Sequence, residues 1–195
     1  MASRIPLIVV IAGPNGAGKT TAAPALLREA LAVNEFVNAD TIAQGLSAFR
    51  SERAAVAAGR VMLERLHALA QGRESFAFET TLASRSFAPW LRARRAEGYR
   101  VHLAFLSLPT VELAIARVRE RVRLGGHDVP EPVIRRRFVS GLRNFFTIYR
   151  EIADGWQMLD NSDARNTLLI ASGKVGFQPV IVDENGWSTL MEKSQ

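Results

Sequence analysis

The glycine-rich loop of this sequence reads Gly13-Pro14-Asn15-Gly16-Ala17-Gly18-Lys19-Thr20, and it matches the pattern G-x-x-x-x-G-K-[ST] at every position. An apolar, β-branched run precedes the loop and a helix-forming stretch follows it, which is the setting that a P-loop requires. The glycines allow backbone N–H groups to point at a phosphate, and the helix N-terminus adds positive charge. We predict that the loop and the next residue, Thr21, bind ATP, with Lys19 on the β- and γ-phosphates and the Thr20 hydroxyl on Mg²⁺.

The segments around this loop alternate between strand-like and helix-like patterns. The run 5–12 is typical of a strand buried on both faces of a parallel sheet. Further strands are predicted at 35–38, 75–78, 100–108, 167–171 and 178–182. Helices are predicted at 20–32, 51–70, 87–97, 110–123 and 131–153. The alternation predicts one α/β domain over 1–195 with the three-layer P-loop NTPase fold, a parallel sheet covered by helices on both faces.

The composition narrows the classes of protein to which the chain can belong. It has 195 residues and no cysteine, so it has no disulfide, no cysteine-based metal site and no cysteine nucleophile. The longest apolar run, 5–12, is too short to span a bilayer, and residues 1–4 lack the cleavage region of a secretory signal. We therefore expect a cytoplasmic protein without a membrane partner.

Acidic residues follow two of the predicted strands. Asp40 comes just after strand 35–38, and Glu79 and Thr80 come at the end of strand 75–78. In an open α/β sheet, chemistry collects beyond the carboxyl ends of the strands, where the P-loop also lies. Asp40 there can deprotonate an acceptor hydroxyl or hold the water shell of Mg²⁺, or it can cap the helix that follows. Glu79 and Thr80 are expected to bind substrate or Mg²⁺-bound water, with capping of the strand end as the alternative.

Arginine supplies almost all of the positive charge, and it is concentrated in one segment. The net charge is +6, and the densest stretch of arginine lies between 117 and 137. A turn-rich segment, 124–130, joins two arginine-rich helices there, so we predict a mobile lid over 121–137. Closing arginines can neutralise a phosphoryl group in transfer and exclude water.

Five candidate residues lie in the lid or in the helix that leads into it. The arginines with a predicted role are Arg117, Arg121, Arg136 and Arg137. The alternative for each of them is ordinary surface charge. His127, in the turn of the lid, is a candidate contact to substrate, and the alternative is a solvent-exposed or loop-stabilising histidine.

Four segments of the sequence resemble the small zeta-toxin-like P-loop kinases of bacteria. They are 13–21, Asn38-Ala39-Asp40, Phe78-Glu79-Thr80-Thr81 and the lid from Arg121 to Arg137; Asp160-Asn161-Ser162 is also similar. The resemblance implies an adenylate-kinase-like fold and an ATP-dependent kinase, with small molecules as acceptors.

The resemblance also implies roles for individual residues. Asp40 is implied to be the base toward a sugar or nucleotide hydroxyl, and Glu79 to help bind substrate. Arg121 and either Arg136 or Arg137 are implied to hold the transferred phosphate. UDP-N-acetylglucosamine is the acceptor associated with the toxins of that family. This chain is shorter than the long toxins after Glu79, which leaves the acceptor open.

Rival functions stay open beside the small-molecule kinase. One is an ATPase or nucleotide-dependent switch that acts on a protein partner, and another is a polynucleotide or RNA kinase. Motor ATPases generally carry an acid at the end of a second strand, whereas strand 101–108 ends in Ser107-Leu108-Pro109, which favours the kinase. Nucleic-acid binding is disfavoured because aromatic residues are not interleaved with the arginines. An antitoxin-like protein partner is not evident from the sequence.

Overall fold

The computed structural model describes residues 5–29, 33–47, 51–163 and 165–195. Within these residues the chain forms one sheet flanked by helices. The strands are β1 (Leu7–Ala12), β2 (Glu35–Val37), β3 (Phe76–Thr80), β4 (Arg100–Ser107), β5 (Gly155–Asp163), β6 (Asn166–Lys174) and β7 (Val180–Ile181). The helices are α1 (Lys19–Pro24), α2 (Ala39–Leu46), α3 (Ser51–Gln71), α4 (Phe87–Ala96), α5 (Val111–Arg123), α6 (Glu131–Asn144), α7 (Arg150–Ile152) and α8 (Glu184–Lys193).

The strand order of the sheet is β2-β3-β1-β4-β5-β6-β7. Strands β1 to β5 pair in parallel, and for β1 to β4 this confirms the prediction from the sequence. The prediction of a parallel sheet is wrong for β6 and β7, which pair antiparallel. Only two residues separate β5 from β6, and a parallel neighbour needs a crossover of a dozen residues or more.

Strand β1 lies inside the sheet, between β3 and β4, and its residues contribute to both cores. Ile8 and Val10 face one core, together with Phe78. Val9 and Ile11 face the other core. All four β1 residues are almost completely buried, so the predicted strand with two buried faces is confirmed. None of the helices in the described ranges is long and apolar enough to cross a membrane.

Two of the predicted helices differ from the observed ones in form. The helix predicted at 20–32 is α1 followed by a π-helical segment, Ala25–Glu29, that begins directly after Pro24; residues 30–32 lie outside the described part of the chain. The helix predicted at 131–153 is α6, a second π-helical segment at Phe145–Tyr149, and the short α7. Strand β5 and helix α8 were not predicted.

Candidate active site at the carboxyl edge of the sheet

The P-loop connects β1 to α1 at the carboxyl edge of the sheet. Gly16 and Gly18 have φ values of 81° and 75°, a region that side chains other than glycine rarely adopt. A Cβ on Gly16 would lie 2.6 Å from the carbonyl oxygen of Ala114, and one on Gly18 would lie 2.6 Å from the Nδ2 of Asn161. The loop therefore requires glycine both for its turn and for its close packing.

Lys19 is buried at the base of this loop. Its Nζ donates a hydrogen bond to the carbonyl oxygen of Pro14 at 2.9 Å and lies 3.6 Å from the Oε1 of Glu79. Burial lowers the pKa of Lys19, and the charges of Glu79 and Asp40 partly oppose that effect. The ammonium group is thus held by the carbonyl oxygen of Pro14 and the nearby carboxylate of Glu79, and the phosphates of a nucleotide would offer it new partners.

Glu79 connects the end of β3 to the first turn of α1. Its Oε2 accepts hydrogen bonds from the Thr20 hydroxyl at 2.7 Å and from the Nδ2 of Asn38 at 2.8 Å. Hydroxyl and carboxylate oxygens are suitable ligands for Mg²⁺, which in kinases is bound by one or two protein groups and by substrate phosphates. The residues therefore fit an Mg²⁺ site at Thr20, with Glu79 close enough to contact the ion or its water.

The position of Glu79 corrects one argument from the sequence. At the level of the sequence, the lack of an acid after strand 101–108, the observed β4, argues against an ATPase. Strand β1 has a second neighbour, β3, whose penultimate residue is the acid Glu79, beside Thr20. The missing acid on β4 therefore does not distinguish a kinase from an ATPase.

Asp40 does not cap helix α2, contrary to the alternative that the sequence left open. The cap is Asn38, whose Oδ1 accepts hydrogen bonds from the backbone N–H groups of Asp40 at 2.8 Å and Thr41 at 3.3 Å. Asp40 is not the capping residue, and it lines a cavity of about 220 Å³ together with Lys19 and Arg137. Burial lowers the pKa of Lys19 and of Arg137, and the charge of the nearby Asp40 partly opposes that effect in both.

Thr80 and Thr81 border the same cavity. The Thr80 hydroxyl oxygen accepts a hydrogen bond from the backbone N–H of Leu82 at 3.1 Å, and that of Thr81 accepts one from Ala83 at 3.4 Å. Both hydroxyl oxygens therefore shape the turn after β3, and neither hydroxyl donates a hydrogen bond to any residue in the described part of the chain. The structure thus places Glu79 and Thr80 together at the cavity, as the sequence predicts.

The two neighbouring arginines of α6 face different surroundings. Arg137 donates from Nη1 to the Oδ1 of Asn15 in the P-loop at 3.3 Å, and burial lowers its pKa. Arg136 is exposed and makes no hydrogen bond or ion pair with any residue that the structure describes. The structure therefore brings Arg137 to the site and leaves Arg136 outside it.

Arg121 lies in the last turn of α5. Burial is the main cause of the lowered pKa of Lys19, and the charge of Arg121 makes a smaller contribution in the same direction. Its Nη2 donates to the carbonyl oxygen of His127 at 2.7 Å, while its Nε is buried without a partner among the described residues. His127 does not line the cavity that contains Asp40, so the structure gives no support to its role as a substrate contact.

A family model described as Zeta toxin matches residues 1–172 of this chain. The chain belongs to the zeta toxin family. The resemblance seen in the sequence is thereby confirmed, and the family supports the predicted enzyme class, an ATP-dependent kinase. An uncharacterized protein of Haemophilus influenzae is 30% identical over 128 residues, which cover 65% of this chain and 88% of the relative.

Solved structures share the fold of this zeta toxin family member. A chain of the AvrRxo1-ORF1:AvrRxo1-ORF2 complex with sulphate ions matches with a TM-score of 0.79 and 15% identity over 99% of this chain and 66% of that chain. The same complex with ATP gives 0.76 and 15% identity over 99% and 65%. This chain thus spans just under two thirds of the length of that relative.

A third structure covers most of both chains. It comes from the PezAT chromosomal toxin-antitoxin system of Streptococcus pneumoniae and matches with a TM-score of 0.63 and 18% identity over 99% of this chain and 87% of that chain. At this level of identity, the likeness establishes the fold: the predicted P-loop kinase architecture is confirmed, with the antiparallel β6 and β7 added.

Sequence reasoning did not select Asn161, which the structure places against the P-loop. The side chain is 3% exposed; its Nδ2 donates to the carbonyl oxygen of Ala17 at 2.7 Å, and its Oδ1 accepts from the Thr167 hydroxyl at 2.7 Å. Arg117 donates to the carbonyl oxygens of Asn161 and Ser162 at 2.8 and 2.6 Å. Arg117 therefore holds the end of β5, which contacts the P-loop through Asn161. The likeness of residues 160–162 to the zeta toxin family was the signal available.

The other arginines of the cluster form surface ion pairs. Arg119 and Arg135 both pair with Glu131, and Arg135 also reaches Glu112 at 3.1 Å. These pairs tie α5 to α6. For them the alternative of ordinary surface charge is the better interpretation, because exposed pairs contribute little to stability and are screened by salt.

Proposed function

We propose that this protein transfers the γ-phosphate of ATP to a hydroxyl group of a small acceptor. The observation that carries the proposal is the cavity of about 220 Å³, because Lys19, Asp40 and Arg137 line it together. A base for the acceptor and cations for the phosphate thus border one space. Family membership and the relative solved with ATP support ATP as the donor.

The reaction follows from the placement of these side chains. Asp40 accepts the proton of the acceptor hydroxyl, and the oxygen then forms a bond to the γ-phosphorus while the bond to the β–γ bridging oxygen breaks. The products are a phosphorylated acceptor and ADP. Lys19 and Arg137 bind the phosphoryl oxygens, whose charge redistributes in the transition state. Thr20 would hold Mg²⁺, which supplies further positive charge to the phosphates when it is bound.

For the acceptor, we propose a nucleotide sugar such as UDP-N-acetylglucosamine as the first compound to test. The zeta toxin family supports this choice. The cavity between Asp40 and the turn at Thr80 and Thr81 offers carboxylate and hydroxyl groups, which suit the hydroxyls of a sugar. A protein partner of the antitoxin kind is part of the proposal, supported by the toxin-antitoxin system from which one relative comes.

A second candidate function is the hydrolysis of ATP, and the position of Glu79 favours it. The carboxylate lies 2.7 Å from the Thr20 hydroxyl, where it can orient a water molecule as well as an acceptor. Transfer to an acceptor is the better proposal, because Asp40 lines the cavity without serving as the helix cap.

The test is a transfer screen with ATP labelled in its γ-phosphate. Nucleotide sugars, nucleosides, free sugars and short RNA serve as acceptors, and water is the reference. We expect label in one small acceptor, with turnover reduced by roughly 10²-fold or more in Asp40→Asn and nearly unchanged ATP affinity. Glu64→Gln, which alters an exposed carboxylate on α3, is the matched control. Release of phosphate alone would support the ATPase, and labelled RNA would support a polynucleotide kinase.

A further inference from the structure

A buried side chain of α6 binds the turn that follows β3. Asn144 is 3% exposed, and its Nδ2 donates hydrogen bonds to the carbonyl oxygens of Leu82 at 2.7 Å and Ala83 at 3.2 Å. Its Oδ1 accepts a hydrogen bond from the Nε of Arg85 at 3.3 Å. Both ends of the amide are therefore used on one short segment, residues 82–85, which follows the cavity residues Thr80 and Thr81.

Arg137 and Asn144 lie on the same face of α6. They are seven residues apart, close to two helical turns, and Gly141 lies between them on that face. A Cβ on Gly141 would collide with the carbonyl oxygen of Thr81. The helix backbone thus touches the turn directly, and one face of α6 carries both the arginine of the site and the contacts with the turn.

The π-helical segment Phe145–Tyr149 begins directly after Asn144 and extends these contacts. The Tyr149 hydroxyl donates to the carbonyl oxygen of Ser84 at 2.7 Å. Burial raises the pKa of Tyr149 to about 12, so the hydroxyl keeps its proton at neutral pH. A π-helical turn inside an α-helix is uncommon and often occurs at a functional site. In this protein the π-helical segment directly follows Asn144, the residue that binds the turn after β3.

The turn itself has an unfavourable backbone conformation. Leu82 has a φ of 54°, which residues other than glycine rarely adopt, and its side chain is completely buried. Such a conformation persists only where the surroundings hold it. The carbonyl oxygen of Leu82 accepts a hydrogen bond from Asn144, and its backbone N–H donates one to the Thr80 hydroxyl oxygen.

We propose that Asn144 is a positioning residue that fixes the acceptor side of the cavity relative to Arg137. Through Asn144 the segment 82–85 and helix α6 form one unit, which keeps the preceding Thr80 at a constant separation from Arg137. The inference rests on the proposed function. A fixed separation matters for that function because Thr80 lies on the side of the cavity that binds the acceptor, whereas Arg137 binds the phosphoryl group. Asn144 acts through these residues and does not touch substrate.

The first experiment separates positioning from folding. Asn144→Asp keeps the shape of the side chain but removes both donated hydrogen bonds. Thr147→Ala, which removes an exposed hydroxyl of the same segment, is the matched control. We expect kcat for the acceptor to fall at least about tenfold in Asn144→Asp, with ATP affinity unchanged. A parallel loss of ATP affinity and kcat, or unchanged kcat, would overturn the proposal.

A double-mutant cycle tests the connection to Arg137. If Asn144 acts by holding the turn relative to Arg137, Asn144→Asp should cost much less in kcat when Arg137 is already alanine. Independent, multiplicative losses would contradict the proposed connection.

Hydrogen exchange provides a readout that needs no acceptor. With a nonhydrolysable ATP analogue bound, amides 80–86 should exchange faster in Asn144→Asp than in the wild type, and at the wild-type rate in Thr147→Ala. Equal exchange in all three proteins would overturn the positioning role. If the wild type phosphorylates no acceptor, the proposed function fails, and exchange still decides whether Asn144 holds the turn.

Discussion

Thr20 donates its hydroxyl hydrogen to the Oε2 of Glu79 at 2.7 Å, although the two residues lie 59 positions apart in the chain. One belongs to the P-loop helix and the other to the end of β3. Because Glu79 also lies 3.6 Å from Lys19, a single carboxylate contacts both P-loop residues that the sequence assigns to phosphate and metal. Binding of a nucleotide with Mg²⁺ must rearrange this contact.

Glu79→Gln should therefore weaken the response to Mg²⁺. The amide keeps the size of the side chain but lacks the charge that attracts the ion, so we expect the Mg²⁺ concentration for half-maximal activity to rise roughly tenfold. Titration of activity with Mg²⁺ at saturating ATP measures the effect. Glu74→Gln, an exposed carboxylate that precedes β3, is the control. Equal titration curves for Glu79→Gln and the wild type would place Glu79 outside the metal site.

The buried ammonium of Lys19 gives a prediction about pH. Burial lowers its pKa from the ordinary 10.5, so the folded protein loses this proton at lower pH than the unfolded chain does. Between the two values the unfolded state binds more protons, and stability rises with pH. The free energy of unfolding of the wild type, minus that of Lys19→Met, should increase as pH rises toward 10.5. Urea titrations of the ATP-free proteins at several pH values measure it; a constant or falling difference would contradict the direction.

Lys19→Met also tests the chemistry. The variant should lose phosphoryl transfer, because the γ-phosphate loses a positive partner in the transition state.

Asn38→Ala should destabilise the protein because Asn38 caps α2 and also donates to Glu79. Loss of such a cap costs about 1 kcal/mol. Urea unfolding measures this change, and Asn34→Ala, an exposed amide before β2, should leave stability nearly unchanged. If both variants were equally stable, the cap would contribute nothing measurable.

Arg136 and Arg137 form a natural matched pair, because they are adjacent and carry the same charge. Arg137 contacts Asn15 and lines the cavity with Asp40, whereas Arg136 is exposed. Arg137→Ala should lower turnover tenfold or more, and more than it lowers ATP affinity, because the contact strengthens as phosphoryl charge redistributes. Arg136→Ala should stay within about twofold of the wild type. Steady-state kinetics with both variants decide the matter, and equal losses would remove the distinction.

Local patterns predicted the P-loop well, because its glycines and lysine specify a backbone shape that needs little from the rest of the chain. The position of Glu79 beside Thr20 was harder to predict, since it depends on the strand order, with β3 next to β1. Similarly, Asn38 and Asp40 are two residues apart, and only their backbone conformation decides which of them caps the helix.

Strand β5 was missed because its sequence is not apolar along its length. Its carboxyl end, residues 160–163, is polar, and Asn161 there bonds to the P-loop. Where the end of a strand contributes polar residues to a site, it lacks the hydrophobic pattern by which strands are recognised in a sequence. The π-helical segment that contains Tyr149 lies within the single helix predicted at 131–153. The sequence does not distinguish the two forms, because the change from α to π leaves the apolar pattern almost intact.

The lid remains a prediction, and the structure indicates where its motion should be confined. Helix α5 ends at Arg123 and is followed by Gly125 at a φ of 84°; the backbone N–H of Gly126 donates to the carbonyl oxygen of Arg121 at 2.9 Å, which is a glycine-based helix end. Helix α6 is held at its other end by Asn144. Motion should therefore concentrate in residues 124–130, and α6 should stay in place.

Hydrogen exchange across 117–137, in the free protein, with a nonhydrolysable ATP analogue, and with analogue plus acceptor, measures this motion. We expect amides 124–130 to become protected in steps as the two ligands bind, because closure orders the turn. Amides 140–149, anchored to the turn after β3, should exchange equally in all three states and serve as the internal control. Arg121→Ala should lower turnover more than ATP affinity, because we expect the arginine, whose buried Nε has no partner among the described residues, to contact the phosphoryl group after closure. Constant exchange at 124–130 together with full activity of Arg121→Ala would reduce the lid to a static loop and its arginines to surface charge.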